Sequence, residues 1–193
     1  MLRMDREYKM KTFSKPIELE TKNLRLRQWK PSDYLPFSKL NADKDVMQYF
    51  PNTISEEESN ELALKLELLI AKKGWGVWAV ELKESHVFIG FLGLYEFSLD
   101  LPFSPCVEIA WRFDKKYWGN GYATEAGKEV LKFAFDVLGL DEVVSFTTVA
   151  NKKSESVMKK LNMINAKEDF EHPNLAKGHH LSTHVLYRIK MIV

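Results

Sequence analysis

The 193 residues predict a single mixed α/β domain, and three features of the sequence support this prediction. Stretches with the apolar spacing of a helix alternate with short apolar or alternating stretches that are typical of strands. One domain of this length can bury a large core, and 45% of the residues are hydrophobic. The sequence contains no repeat, low-complexity tract or linker. Residues 17–193 are therefore expected to form the domain, and residues 1–16, which are mixed in charge and aperiodic, a flexible arm.

The sequence of the first half of the domain predicts one strand, two helices and then two further strands. Residues 18–29 (ELETKNLRLRQW) have the alternation of a half-buried strand, and a helix is expected to begin near Pro31. The next helix has a stronger start, because Ser55 and Glu58 form a capping box before an apolar stripe. Residues 76–97 then predict two strands joined by a polar turn.

The second half predicts three strands and two helices in alternation. Gly90 and Gly93, in the second strand of residues 76–97, indicate a bulge or a close approach between backbones. Gly139 and Asn162 are typical residues for the left-handed position that ends a helix. In chain order, the predicted elements are the strand 106–113, the helix 123–138, the strand 142–149, the helix 151–163 and the strand 184–193.

Charge and composition restrict the classes of partner. The chain has 28 Lys and Arg against 27 Asp and Glu, which gives no reason to expect a nucleic acid or a membrane surface as partner. Its single cysteine, Cys106, cannot form an internal disulfide, so a reducing compartment is expected. Neither a signal peptide nor a membrane-spanning stretch is recognised. We therefore expect a cytoplasmic protein, either a monomer or a homodimer.

The stretch KKYWGNGYATEAGKEV, residues 115–130, predicts a phosphate site between a strand and a helix. Glycines allow the backbone to turn sharply and present several N–H groups to one point, and a helix start adds unpaired N–H donors. An ordinary tight turn is the plain alternative. A dinucleotide fingerprint is a further alternative, since Asp141 follows Gly121 by 20 residues, but Thr124 occupies the third glycine position and Asp141 precedes the next strand.

Residues 105–126 (PCVEIAWRFDKKYWGNGYATEA) and 149–163 (VANKKSESVMKKLNM) closely resemble the GNAT superfamily of acyl-CoA-dependent N-acetyltransferases. Within it they are similar to the branch of ribosomal-protein N-terminal acetyltransferases. The resemblance implies a mixed, mostly antiparallel sheet flanked by helices, with acetyl-CoA as donor. Lys116 departs from the Gln or Arg usual at its position but keeps the charge. The implied donor-binding residues are Ile109, Lys116, Trp118, Gly119, Asn120, Gly121, Tyr122, Ala123 and Asn151.

Two residues are candidates for the proton transfers of acyl transfer to an amine. Glu108 stands in an otherwise apolar strand, where burial would raise its pKa toward neutrality and suit it as a base. Alternation also allows an exposed strand glutamate. The resemblance points to Ser154 as the acid for the leaving thiolate. As sequence features alone, Ser154 is an early-helix serine and Asn151 a good helix N-cap.

Four histidines, at positions 172, 179, 180 and 184, lie within thirteen residues. A metal site is one interpretation, but the spacings match no ordered zinc module and no cysteine accompanies them, so no metal is expected. The resemblance places this segment toward the acceptor, where Glu171 and His172 are an alternative to Glu108 as base.

These observations predict direct transfer of an acetyl group from acetyl-CoA to a primary amine within a ternary complex. The acceptor is a protein N-terminus, as in the ribosomal-protein branch, or a small amine or antibiotic. The alternative from another class is a GNAT-fold module that binds coenzyme A without catalysis. Glu108, Asn151 and Ser154 together favour the enzyme, because a binding module has no need of all three.

Overall fold

The computed structural model describes residues 10–97 and 101–191. Within them the strands are β1 (Leu19–Glu20), β2 (Leu24–Arg27), β3 (Val77–Leu82), β4 (Phe88–Phe97), β5 (Cys106–Phe113), β6 (Glu142–Thr148), β7 (Ile164–Asn165), β8 (Phe170–Glu171) and β9 (Thr183–Lys190). The helices are α1 (Pro31–Ala42), α2 (Glu56–Lys73), α3 (Tyr122–Lys132) and α4 (Lys152–Lys160). A π-helical segment, Phe133–Val137, extends α3. No helix in these two ranges has the length and apolarity needed to cross a membrane.

The strands form one sheet in the order β1-β2-β3-β4-β5-β6-β9-β7, and β8 pairs with β9. All pairings are antiparallel except that between β5 and β6, which is parallel. The chain reaches β6 from β5 through α3, the helical crossover that a parallel pair requires. The sheet is therefore mixed and mostly antiparallel, as expected.

Helices cover both faces of the sheet, which we call the α1 face and the α3 face. On the α1 face, the buried Arg27 of β2 bonds Asp33 of α1 (2.7 Å) and Glu81 of β3 (2.6 Å). On the α3 face, Trp78 of β3 packs edge-on against Phe133 with ring centroids 5.6 Å apart. Since side chains alternate along a strand, these contacts assign every strand residue to a face.

The two strand glycines are explained by the neighbouring strands. A Cβ on Gly93 would lie 2.2 Å from the carbonyl oxygen of Gly76, so only glycine allows β3 and β4 to approach this closely. Gly90 has a φ of 144° and lies where the register shifts between Val80 and Glu81. The predicted bulge and close approach are confirmed.

Two expectations for the first thirty residues differ from the structure. The single strand expected over residues 18–29 is a hairpin, because Thr21 accepts a hydrogen bond from Leu24 N (2.9 Å) and turns the chain. The flexible arm expected over residues 1–16 is held at its described end, where Phe13 N donates to Lys73 O (2.9 Å) and packs on the core. Residues 1–9 lie outside the described part of the chain.

Candidate functional site

A gap opens in the sheet between β5 and β6. These parallel strands pair at one position, Glu108 with Val144. Beyond it, β5 continues to Phe113 and β6 to Thr148 with no further pairing recorded among the described residues. Parallel strands have their carboxyl ends at the same edge, so the segments that follow both strands meet beside this gap.

The segment after β5 is a loop that side-chain hydrogen bonds hold, with open space beside its two glycines. The indole N–H of Trp118 donates to the carbonyl of Phe113 (2.9 Å), and the side-chain amide of Asn120 donates to that of Trp118 (3.3 Å). Gly119 and Gly121 both have a φ of 82°, which favours glycine, and a Cβ on either would meet nothing within 4 Å. The glycines are thus required by backbone conformation, and the space before them is open to a ligand.

The first turn of α3 completes this loop. Gly121 is the N-cap of the helix and offers no side chain, so the amides from Tyr122 onward lack a capping group. The acidic residue of that turn is held elsewhere. Glu125 accepts hydrogen bonds from Thr21 Oγ1 (2.5 Å) and from the backbone and side chain of Asn23 (2.8 Å each), which lowers its pKa. The positive end of α3 therefore faces the open side of the loop.

The segment after β6 is fixed by Asn151, the N-cap of α4. Its Oδ1 accepts from Ser154 N (3.1 Å), and its Nδ2 donates to Thr147 Oγ1 and to Ser154 Oγ (3.0 Å each). The N-cap role predicted from sequence is confirmed. The next residue but one, Lys153, places its ammonium 4.2 Å from the ring centroid of Trp118. The start of α4 therefore touches the glycine loop.

Glu108 lies on the α1 face of the sheet. It is directly opposite Tyr95 of β4 and four residues from Arg112, which donates to Asn41 of α1 (2.5 Å). The residue is half-buried, protein surrounds its carboxyl, and loss of surrounding water raises its pKa to about 8. The fully buried side chain of Ile109 points to the α3 face.

An aromatic cluster continues the α1 face beyond Glu108. His172 and His184 lie at its edge, and their ring centroids are 4.9 Å apart. The centroid of His172 is 6.2 Å and that of His184 is 6.3 Å from the ring centroid of Phe146. Burial lowers the pKa of both imidazoles. The rings of the aromatic cluster, tilted or edge-on to one another, are those of Phe97, Phe103, Phe146 and Phe170.

The other histidines of this segment and Glu171 have contacts of their own. Glu171 is exposed and accepts from Thr183 Oγ1 (2.7 Å), and its hydrogen bonds lower its pKa. His179 and His180 stack on each other with centroids 4.5 Å apart. The residues that the structure describes contain no group of three or more potential metal ligands.

Comparison with known proteins identifies the family. The family model described as "Acetyltransferase (GNAT) domain" matches residues 23–164, which is most of the chain. The chain belongs to the GNAT acetyltransferase family. It is an acetyl-CoA-dependent N-acetyltransferase.

Relatives support both the sequence family and the fold. The chain is 27% identical over 163 residues to an uncharacterized N-acetyltransferase of Bacillus subtilis, YnaD, covering 84% of this chain and 90% of the relative. A GNAT acetyltransferase structure from Bacillus anthracis superposes with a TM-score of 0.74, 23% identity, and coverage of 90% and 98%. The ribosomal-protein-S5-alanine acetyltransferase of Vibrio fischeri gives a TM-score of 0.66 at 18% identity, with coverage of 90% and 96%.

The GNAT geometry brings together the sequence-predicted residues of the loop and of the β6–α4 turn, but it changes the set of cations. Lys115 and Lys116 are adjacent cations at the start of the loop, but Lys115 bonds Asp43 (2.9 Å) and Asp45 (2.7 Å). Lys116 is exposed and makes no ion pair among the described residues. Lys153 was missed. Its position two residues after Asn151 carries no sequence signal until α4 is known to start beside the loop.

Proposed function

We propose that the protein transfers the acetyl group of acetyl-CoA directly to a primary amine through the gap between β5 and β6. The observation that carries this proposal is the arrangement around that gap. The amide-rich loop and the N-terminus of α3 lie at its edge, and Glu108 lies beside it on the opposite face. A donor held at the loop and an acceptor approaching from the α1 face would meet there.

The glycine loop is the proposed site for the pyrophosphate of acetyl-CoA. Backbone amides from Gly119 to Ala123 provide the donors, since the Trp118 amide already donates to the carbonyl of Lys115, and the start of α3 adds a favourable dipole. Lys116 and Lys153 supply the side-chain charge. Asn151 and the backbone at Ile109 border the gap along which the pantetheine arm would reach the reacting centre.

Glu108 is the proposed base and Ser154 the proposed acid. Glu108 accepts a proton from the amine nitrogen, which attacks the thioester carbonyl; the carbon–sulfur bond then breaks. The departing sulfur takes a proton from Ser154 Oγ, which regains one from solvent while Glu108 releases the proton it accepted. Because that oxygen already accepts a hydrogen bond from Asn151 (3.0 Å), its own proton is free to be donated. The products are the acetylated amine and free coenzyme A.

Burial supports Glu108 over Glu171 as the base. A pKa of about 8 gives Glu108 the proton affinity that a base needs near neutral pH. Glu171 has a lowered pKa, is exposed and already accepts from Thr183, so it is a weaker proton acceptor. His172 belongs to the same segment but points toward the aromatic cluster.

The proposed acceptor is a protein N-terminus, as in the ribosomal-protein branch that the sequence resembles. A release assay for coenzyme A tests this, with acetyl-CoA and a panel of peptides, polyamines and amino-sugar antibiotics. We expect thiol release with peptides and none with acetyl-CoA alone. Release with only polyamines or antibiotics would refute the protein acceptor. Binding of acetyl-CoA without release across the panel would instead favour a non-catalytic module.

A further inference from the structure

The histidine pair has hydrogen-bonding capacity that the acetyl-transfer chemistry leaves unused. His172 and His184 are half-buried on the α1 face, beside the aromatic cluster. The backbone partners of the two rings determine which nitrogen carries the proton in each. Burial lowers the pKa of both side chains, so both rings are neutral at pH 7.

The two rings are in opposite tautomers. His184 Nδ1 lies 2.9 Å from the carbonyl oxygen of Ser182, which can only accept, so Nδ1 carries the hydrogen and Nε2 is an acceptor. His172 Nδ1 accepts from the backbone N–H of Asn174 (3.3 Å), so its hydrogen is on Nε2, which is a donor. The pair therefore presents one donor and one acceptor, and neither Nε2 has a hydrogen-bond partner among the described residues.

A third polar group on this face also lacks a partner. Thr148 lies directly opposite His184 in the pairing of β6 with β9 and shares its face. Its hydroxyl is buried, with the residue 1% exposed, and has no hydrogen-bond partner within the described ranges. Buried polar groups are normally satisfied, so the unpaired hydroxyl of Thr148, beside two partly exposed imidazoles with free ring nitrogens, indicates a place where a polar ligand adds hydrogen bonds.

We propose that His172 and His184 bind a backbone amide of a peptide acceptor, His172 donating to its carbonyl and His184 accepting from an N–H. This inference rests on the proposed function of the site and names its acceptor class. A residue of an extended peptide presents its N–H and C=O to the same side, which matches one acceptor and one donor. A carboxylate has no hydrogen to donate to His184, and an ammonium group has no lone pair to accept a hydrogen bond from His172.

The distance from Glu108 favours a peptide over a small amine. Glu108 pairs with Val144, whereas His184 pairs with Thr148, four residues further along β6. With a rise of about 3.3 Å per residue and rings that reach back over Phe146, the carboxyl and the pair are on the order of 10 Å apart. About three residues of extended chain span that distance. A small amine that has no amide about 10 Å from its nitrogen cannot form hydrogen bonds with the histidine pair.

The test compares a tetrapeptide with a free N-terminus and n-butylamine as acceptors of the full chain. His172→Phe and His184→Phe should each raise the KM of the peptide about tenfold relative to that of butylamine, the effect of losing one hydrogen bond. His184→Gln keeps an acceptor oxygen and should restore most of the loss. His180→Phe, an exposed histidine of the same segment, is the matched control and should change neither KM.

Ester analogues of the peptide identify the contact. In three analogues, each backbone amide in turn is replaced by an ester, which removes one N–H. For one analogue, the KM of the wild-type protein should be about ten times that for the parent peptide. With His184→Phe, the same analogue and the parent peptide should have equal KM values. If the histidine variants raised the KM of peptide and butylamine equally, or lowered kcat for both, the histidines would have a structural role and the inference would be refuted. Acetylation of butylamine but of no peptide would also refute it, and would leave the acetyltransferase chemistry standing. Failure with every acceptor would overturn both.

Discussion

The raised pKa of Glu108 predicts the pH dependence of acetyl transfer. With a pKa of about 8, the ionised fraction of this carboxyl rises from about 1% at pH 6 to about 50% at pH 8. If the ionised form is the base, kcat/KM of the wild-type protein should rise about fiftyfold over this range and level off above it. A carboxyl with an ordinary pKa would be ionised throughout and would add no such dependence.

The variant Glu108→Gln keeps the size of the side chain but cannot accept a proton. Loss of a general base typically costs a factor of about 10² to 10⁴, so kcat should fall by that order while the KM for acetyl-CoA changes little. The assay is coenzyme A release at saturating acetyl-CoA over the same pH range. Because a peptide α-amino group also loses its proton near a pKa of about 7.7–8.0, the ratio of the two profiles isolates Glu108.

A flat ratio of the two profiles would refute Glu108 as the base. Glu171, with its lowered pKa, would be ionised across this range and would produce no rise near pH 8. Glu171→Gln is therefore the matched control variant, and it should leave the rise in place. A rise that vanishes in Glu171→Gln and survives in Glu108→Gln would assign the base to the segment that carries Glu171.

The same pKa makes a prediction for stability. The folded state holds a proton on Glu108 more tightly than the unfolded state, whose carboxyl has the ordinary pKa of 4.5. The contribution of Glu108 to the free energy of unfolding should therefore fall as pH rises from about 4.5 to about 8, by at most about 1.4 kcal/mol per pH unit, and it is measured as the difference between the wild-type protein and Glu108→Gln. Partial exposure of the residue reduces that amount. Glu108→Gln should lack this loss in urea unfolding measured at several pH values.

Three further predictions concern the donor site. Acetyl-CoA at about a hundred times its Kd should raise the Tm by about 5–10 °C, and no shift would contradict the donor site. Gly121→Ala and Gly178→Ala should each lower the free energy of unfolding by about 1–2 kcal/mol, because both glycines have a φ of 82° and a Cβ on either would meet no other atom. Only Gly121→Ala should also weaken acetyl-CoA binding, measured by calorimetry. Lys153→Ala should weaken that binding several-fold at low salt and less at high salt, whereas Lys160→Ala, exposed on the same helix, should not; equal effects would remove Lys153 from the site.

The donor half of the site could be predicted from sequence because it is local. The glycine loop and the start of α3 are consecutive residues, and the conformation of Gly119 and Gly121 follows from the turn they make. The N-cap role of Asn151 is also a property of three or four neighbouring residues. The cations were not predictable in the same way. Lys115 and Lys116 are adjacent and alike in charge, and only the position of Asp43 and Asp45, some seventy residues earlier, separates their roles.

The acceptor half depends on contacts that only the fold creates. His172 and His184 face each other because β8 pairs with β9, and β8 is a two-residue strand with no periodicity to predict it. Their tautomers are set by the backbone of Ser182 and Asn174, which a residue pattern does not encode. The gap in the sheet then joins the two halves, since Glu108 pairs with Val144 at the one position where β5 and β6 pair among the described residues. Substitutions in the glycine loop should therefore act on acetyl-CoA and those in the histidine pair on the acceptor, while Glu108 acts on the transfer that connects them.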